Sequence, residues 1–251
     1  MMRPDVSIVI ACYNEQGHLE QSVSELIEIM EATRWSYELI FVEDCSTDDT
    51  RVVIQRILES NSGRAMRAIF HEQNTGRGRT VADGLRAAEA PIAGFIDIDL
   101  EIHARYIPSF VIAVQSGSDL VMADREYRLH LGLLHRHLLS RGYAWLVRKV
   151  LKLPYRDTEA GYKFFNMTRI LPVLDEVQDE RWFWDTEIVA RAHLHGLPVS
   201  EIPCLFIRRG DKQSTLRVVH DSIDYFRRLI RFRRNLDAPR DPVRASAHSD
   251  Q

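Results

Sequence analysis

The sequence predicts an α/β fold with a mostly parallel central sheet and helices on both of its faces. Three observations predict it. Short apolar runs alternate with segments of helical period through the first half of the chain, the pattern of parallel strands joined by helical crossovers. Each run opens at its carboxyl end into a polar loop, where ligands sit in sheets of this kind. The apolar stretch Pro91–Ile96 ends in the acidic run Asp97-Ile98-Asp99, with Glu101 two residues on.

Taken in order, Val6–Ala11 reads as a buried strand, followed by the loop 12–17. A helix over His18–Thr33 sets Leu19, Val23, Leu26, Ile27 and Met30 on one face. Tyr37–Val42 is the second strand and opens into Glu43-Asp44-Cys45-Ser46-Thr47-Asp48. Ser46, Thr47 and Asp48 are N-cap residue types, and capping is the role assigned to Asp48. The helix after Asp49 carries Val53, Ile54, Ile57 and Leu58. Arg67–Phe70 is a third strand, and its loop 74–79 leads to a helix over Thr80–Ala90. Ala93–Ile96 then delivers the acidic run. The second half is less regular. It predicts a strand at Asp119–Met122, an amphipathic helix over Leu129–Leu153 and a loop entering a short strand over Asp157–Phe165. A helix over Asp185–His195 is ended by Gly196 and Pro198. Val199–Ile202 and Leu205–Ile207 are short strands, and Ser214–Arg234 is a long terminal helix.

With 251 residues the chain suits one large domain over 1–235 and a disordered polar tail over 236–251. A net charge of −3 argues against a dedicated nucleic-acid binder. Cys12, Cys45 and Cys204 are isolated, which points to a reducing compartment. The first residues lack the apolar core of a signal peptide, and no apolar stretch is long enough to span a bilayer. A cytoplasmic protein is expected.

Carboxylates at i, i+2 and i+4 project to one face of an extended chain. Asp97, Asp99 and Glu101 are therefore candidate ligands of a hard divalent cation, Mg²⁺ or Mn²⁺, whose remaining ligands come from water and substrate phosphates. Asn74, Gly76, Arg77 and Arg79 form a glycine-spaced basic loop before a helix, where backbone N–H groups favour phosphate and arginine adds charge-assisted bonds. Nothing after it resembles a dinucleotide fingerprint.

Four motifs then carry a family resemblance. Ile10-Ala11-Cys12-Tyr13-Asn14-Glu15, Val42-Glu43-Asp44-Cys45-Ser46-Thr47-Asp48, Asn74-Thr75-Gly76-Arg77-Gly78 and Asp97-Ile98-Asp99-Leu100 resemble, in order, the signatures of family 2 glycosyltransferases with the GT-A fold. Asp157–Phe165, Glu180–Ile188 and Arg208–Ser214 are similar to segments of dolichyl- and polyprenyl-phosphate sugar synthases. The resemblance spans Asp5 to Arg234. Cys45 stands where the family usually has Gly, Glu101 where many relatives have Gln, and Ser214-Thr215 where they have Ser-Lys. Glu101 adds negative charge, which tightens a cation site. The transmembrane tail of several relatives has no counterpart here.

The resemblance implies an inverting sugar transfer from a nucleotide-diphosphate donor of the GDP-mannose or UDP-glucose type to a polyprenyl phosphate. It assigns the donor to Ala11, Tyr13, Glu15, Glu43, Asp44, Asn74, Gly76, Arg77, Arg79, Asp97, Ile98 and Asp99, with the carboxylate of Asp44 reading the base through its acceptors. It assigns the acceptor phosphate to Arg125 and Arg128 and to Arg136 and Ser140 at i, i+4 on the next helix, and Arg208, Arg209, Lys212 and Ser214 to a basic loop closing over the diphosphate or the acceptor phosphate. Asp157, Asp185 and Glu187 are the acids left for catalysis, although a lipid phosphate is already an anionic nucleophile. A soluble hydroxyl acceptor, a nucleotidyltransferase and a non-catalytic nucleotide-sugar binding module are the competing expectations. A lipid acceptor also calls for peripheral membrane contact. Leu129–Leu153 and the terminal helix, where Phe226, Leu229 and Ile230 lie among arginines, have the composition for an anionic interface.

Overall fold

The computed structural model describes residues 3–127, 142, 145–207 and 218–237. One seven-stranded sheet organises them, in the order β3-β2-β1-β4-β6-β5-β7. Its strands are β1 (Val6–Cys12), β2 (Tyr37–Glu43), β3 (Met66–Phe70), β4 (Ile92–Ile96), β5 (Leu120–Tyr127), β6 (Tyr162–Asn166) and β7 (Val199–Phe206). Only β6 runs antiparallel, between β4 and β5. The remaining pairings are parallel, so the ends of β1, β2, β3 and β4 point their loops to one edge.

The helices are α1 (Leu19–Glu31), α2 (Thr50–Ser60), α3 (Arg77–Ala87), α4 (Ile107–Gln115), α5 (145–151), α6 (Met167–Leu174), α7 (Trp184–Leu194) and α8 (Val218–Asp237). Helices α1, α2 and α4 cover one face of the sheet through Leu26, Ile54 and Phe110. Helices α3, α6 and α7 cover the other through Leu85, Ile170 and Ile188. Strands β1, β2 and β4 are thus buried on both faces, which explains their near-continuous apolar sequence. A third cluster joins Val147 and Leu151 of α5, Phe183 and Ala190 at α7, and Leu229 and Phe232 of α8.

Several elements differ from expectation. Helix α3 starts at Arg77 rather than Thr80, because Gly76 turns the chain at φ 98°. A side chain there would meet the Glu180 carbonyl oxygen at 2.6 Å. The two strands expected around Pro203 are one. Among the described strands β7 pairs with β5 alone, apart from a bridge of Phe206 to Ile102, so a residue without an N–H fits its open edge at Pro203. Strand β5 runs on to Tyr127, α6 was not foreseen, and α8 reaches Asp237. Residues 129–141, 143 and 144 of the expected 129–153 helix and the tail from 238 lie outside the described residues.

Candidate active site

The first two loops are zipped together by side chains bonding to backbone. Asn14, at φ 58°, accepts the Thr47 N–H on its Oδ1 at 2.9 Å. Its own N–H donates to Ser46 Oγ, and the Glu15 N–H donates to Thr50 Oγ1. Gln16 Oε1 accepts from the Asp49 N–H, and Asp48 Oδ2 accepts from the Gln16 N–H. Asp48 also accepts the Thr50 N–H at 3.0 Å, but from one residue outside the cap position of α2, which Asp49 takes without a side-chain bond. Tyr13 stands exposed at the rim, beyond the half-buried Ala11.

Asp44 joins the third loop to these two. Its Oδ1 accepts from the Thr75 N–H and hydroxyl, both at 2.8 Å, and lies 2.8 Å from His71 Nδ1. Its Oδ2 accepts the Gly76 N–H at 2.9 Å, and its carbonyl accepts from Asn74 Nδ2. These donors, led by His71, hold the carboxyl below its ordinary range against the opposing cost of burial. The structure therefore differs from expectation at two points. The N–H groups of Thr75 and Gly76, just before α3, are spent on an internal carboxylate, not left for phosphate. Asp44, expected to read a base with free acceptors, folds the loop with most of its acceptor capacity. Glu43 likewise accepts the Ser46 N–H. Arg79 faces Asp83, at 2.8 Å, and Glu180.

The acidic run is a turn, not an extended strand. Strand β4 stops at Ile96, the Leu100 N–H donates to the Asp97 carbonyl, and Leu100 sits at φ 52°. Alternation is lost there, and Ile98 is buried in the core rather than facing a nucleotide. Among the described residues no three His, Cys, Asp or Glu side chains gather as a metal cluster, which corrects the expected three-carboxylate shell. Even so, Asp97, Asp99 and Glu101 line one small cavity with Arg125, Gly161, Tyr162 and Phe206. Asp99 Oδ1 accepts the Glu101 N–H at 3.2 Å, and the Glu101 carbonyl accepts the Ile207 N–H at the end of β7. Half-exposed Asp97 and buried Asp99 fit a hard cation that takes one or two carboxylates and fills its shell with phosphate and water. They do not form a complete cage.

Arg77 spans the crevice. It donates to Asp97 Oδ1 at 2.7 Å and to Asp185 Oδ2, with its guanidinium beside the rings of Phe95 and Trp182. The two carboxylates raise its pKa despite the opposing burial. Asp185, 2% exposed, accepts on its other oxygen from the wholly buried Lys163 at 2.7 Å. Burial pulls the Lys163 ammonium down, and Asp185 opposes that. Gly161 lets these groups meet, since a Cβ there would lie 1.9 Å from Asp97 Oδ2.

On the far side, Arg125 holds Asp157 in a two-point ion pair of 2.6 and 2.8 Å. Asp157 is depressed by Arg125 against the cost of burial. Glu159 lies 4.0 Å from the Arg125 guanidinium, and burial with Asp157 and Asp185 nearby raises its carboxyl to about 7. Glu187 accepts the Gln178 and Asp179 N–H groups and pairs with Arg191, so it anchors the turn before α7. None of the three acids expected for catalysis is open: each is committed to cations or backbone. Arg128, Arg136, Ser140, Arg208, Arg209, Lys212 and Ser214 lie outside the described residues. Glu159 and Lys163 went unnoticed as site residues. The only sequence signal for them was their place inside Asp157–Phe165.

Comparison with known proteins agrees with this geometry. Residues 7–167 match the model of the glycosyl transferase family 2. The glycosyltransferase AglD of Haloferax volcanii is 30% identical over 217 residues, 84% of this chain and 34% of that protein. A dolichyl-phosphate beta-glucosyltransferase of Dictyostelium discoideum is 23% identical over 78% of this chain and 64% of its own length. That of Saccharomyces cerevisiae is 26% identical over 90% and 73%. The chain therefore spans about a third of the first relative and just under two thirds of the second. Among solved structures, glucosyl-3-phosphoglycerate synthase from Mycobacterium tuberculosis, in complex with Mn²⁺, UDP and glucosyl-3-phosphoglycerate, superposes with a TM-score of 0.64 at 20% identity, over 90% of this chain and 77% of that one. A Pyrobaculum calidifontis mannosyltransferase in complex with GDP-Man and Mn²⁺ gives 0.62 at 17%, over 96% and 67%. The fold is GT-A.

Proposed function

The chain belongs to glycosyl transferase family 2, and from that premise we propose that it moves a hexose from a nucleotide-diphosphate sugar to a polyprenyl phosphate. One observation carries the reading: three carboxylates and Arg125 line a single cavity at the carboxyl end of β4, with Arg77 and Asp185 behind it. Acids at one wall suit a cation-bound diphosphate, and an arginine opposite suits a second phosphate. The names of the Dictyostelium and yeast relatives favour glucose and a dolichol-type acceptor.

Asp97 and Asp99 would hold Mg²⁺ or Mn²⁺ through hard oxygen ligands, and the bound cation would withdraw charge from the departing diphosphate. Arg77 fixes the orientation of Asp97 by tying it to Asp185. Arg125 binds the acceptor phosphate, whose oxygen attacks the anomeric carbon as the bond from that carbon to the diphosphate oxygen breaks. A phosphate nucleophile needs no proton removed, which agrees with the commitment of Asp157, Asp185 and Glu187 to ion pairs and loops. Among the described residues no helix is long and apolar enough to cross a membrane.

The test offers UDP-glucose and GDP-mannose with Mn²⁺ to a polyprenyl phosphate and to soluble sugar hydroxyls, and follows radiolabel into lipid. Transfer to lipid, lost in Arg125→Ala, supports the reading. Transfer to a soluble hydroxyl alone overturns it.

A further inference from the structure

Helices α5 and α8 share one buried cluster, through Val147 and Leu151 on the first and Leu229 and Phe232 on the second, and each carries basic residues on its exposed side. On α8, beside Asn235, the exposed residues are Phe226, Arg227, Arg231 and Arg234, with half-buried Ile230 among them. At about 100° per residue these five fall within one arc. Leu229, grouped with Phe226 and Ile230 from sequence, belongs instead to the core. The outward residues at α5 are Trp145, Lys149 and Lys152, beside half-buried Arg148. Trp145 is 54% exposed and Phe226 44%, unusual for such large rings. Residues 145–152 contain no acid, and Asp224 of α8 is already paired with Arg228. Arg148, Lys149, Lys152, Arg227, Arg231 and Arg234 pair with no carboxylate among the described residues. They belong to a chain whose net charge is −3.

The inner side of α8 reaches the acceptor half of the crevice. Tyr225 Oη lies 2.6 Å from Thr186 Oγ1, and that hydroxyl lies 2.9 Å from Thr158 Oγ1, next to Asp157 and Glu159.

We propose that the outward faces of α5 and α8 form one docking surface for an anionic lipid bilayer. Its lysines and arginines meet the headgroups while Trp145 and Phe226 enter the interface. Docked so, the protein brings Arg125 toward headgroup level, where the phosphate of a lipid acceptor lies. The inference rests on the lipid-acceptor reading for its purpose, although the surface itself is tested without any acceptor.

Flotation of the full chain with vesicles is the experiment, using phosphatidylcholine alone or mixed with phosphatidylglycerol. Binding to the mixed vesicles that weakens as salt rises is expected, with little binding to the neutral ones. The triple variant Arg227→Glu, Arg231→Glu, Arg234→Glu loses tenfold or more in vesicle affinity, and Trp145→Ala with Phe226→Ala weakens binding at every salt concentration. Arg→Gln at the same three positions serves if charge reversal impairs folding. Transfer to a water-soluble short-chain prenyl phosphate stays unchanged in all of them. Equal binding to both vesicle types, binding insensitive to these substitutions, or no binding to either vesicle overturns the proposal; the last is the result expected of a surface built for an acidic protein or nucleic acid. Vesicle binding without any lipid-linked product would instead count against the proposed function alone.

Discussion

The two sides of the crevice are built from different interactions. On one side, loops 13–16, 44–50 and 71–76 are laced by hydrogen bonds between side chains and backbone, with Asn14, Asp48 and Asp44 at the knots. Across from them the framework is ionic: Arg77 with Asp97 and Asp185, Lys163 with Asp185, and Arg125 with Asp157. Hydrogen-bonded loops hold a shape and change little when one bond is lost. A buried ionic array is less forgiving, because each charge depends on its partner for solvation. The loop side is therefore a mould, and the side across from it is an array of paired charges.

Deleting the centre of the ionic array should have the largest effect. Asp185→Ala leaves Arg77 and Lys163 without their shared buried partner, and a loss of about 3–5 kcal/mol is expected in urea unfolding. A loss below about 1 kcal/mol, typical of one exposed pair, would erase the contrast between the two sides. Gly161→Ala drives a methyl group into Asp97 and the Arg77 guanidinium. Displacing groups there by about an ångström should lower kcat/KM roughly 100-fold. Unchanged Mn²⁺ titration of the variant, by electron paramagnetic resonance, would show that Asp97 had not moved.

Glu159 sharpens the comparison through pH. Its folded value of about 7 lies above the ordinary 4.5, so the folded state retains a proton that the unfolded state releases. The protein is thus favoured below the ordinary value, loses that advantage as pH rises toward 7, and carries the full penalty above it. Glu159→Gln should stabilise the protein by about 2 kcal/mol at pH 8 and leave it unchanged at pH 4, read from thermal unfolding. A gain of equal size at both pH values would mean that charge is not the cause.

The smallest effect belongs to the loop mould. Cys45 occupies φ 57°, which strains a residue carrying a Cβ, where the resembling family has Gly. Relief of that strain and the greater unfolded-state entropy of glycine oppose each other. Cys45→Gly should therefore shift stability by less than about 1 kcal/mol, in the stabilising direction.

The alternation of strand and helix was legible because a strand's period of two and a helix's 3.6 are written locally, as in Tyr37–Val42 and Leu19–Met30. Loops after β1, β2, β3 and β4 were legible as site loops for the same reason, and four ordered motifs made the family legible. The partners of the charges were not. Arg77 reads as a phosphate ligand beside glycine, yet its guanidinium is held by Asp185, 108 residues away. Asp44 reads as a free acceptor, yet it is the internal anion for the start of α3. The alternation argument also failed at Asp97, where a turn replaces the strand.

By itself, then, the sequence determined the layered α/β architecture, the edge on which the site lies and the family, since each follows from local periodicity or short motifs. The tertiary structure alone decided which acid meets which cation, that Asp157, Asp185 and Glu187 are committed, and that Leu229 points inward while Phe226 points out. Those outcomes depend on β6 entering between β4 and β5, which sets Gly161 and Lys163 beside the ends of strands far away in the chain. Ion pairing falls off with distance in space, and only the folded sheet sets that distance.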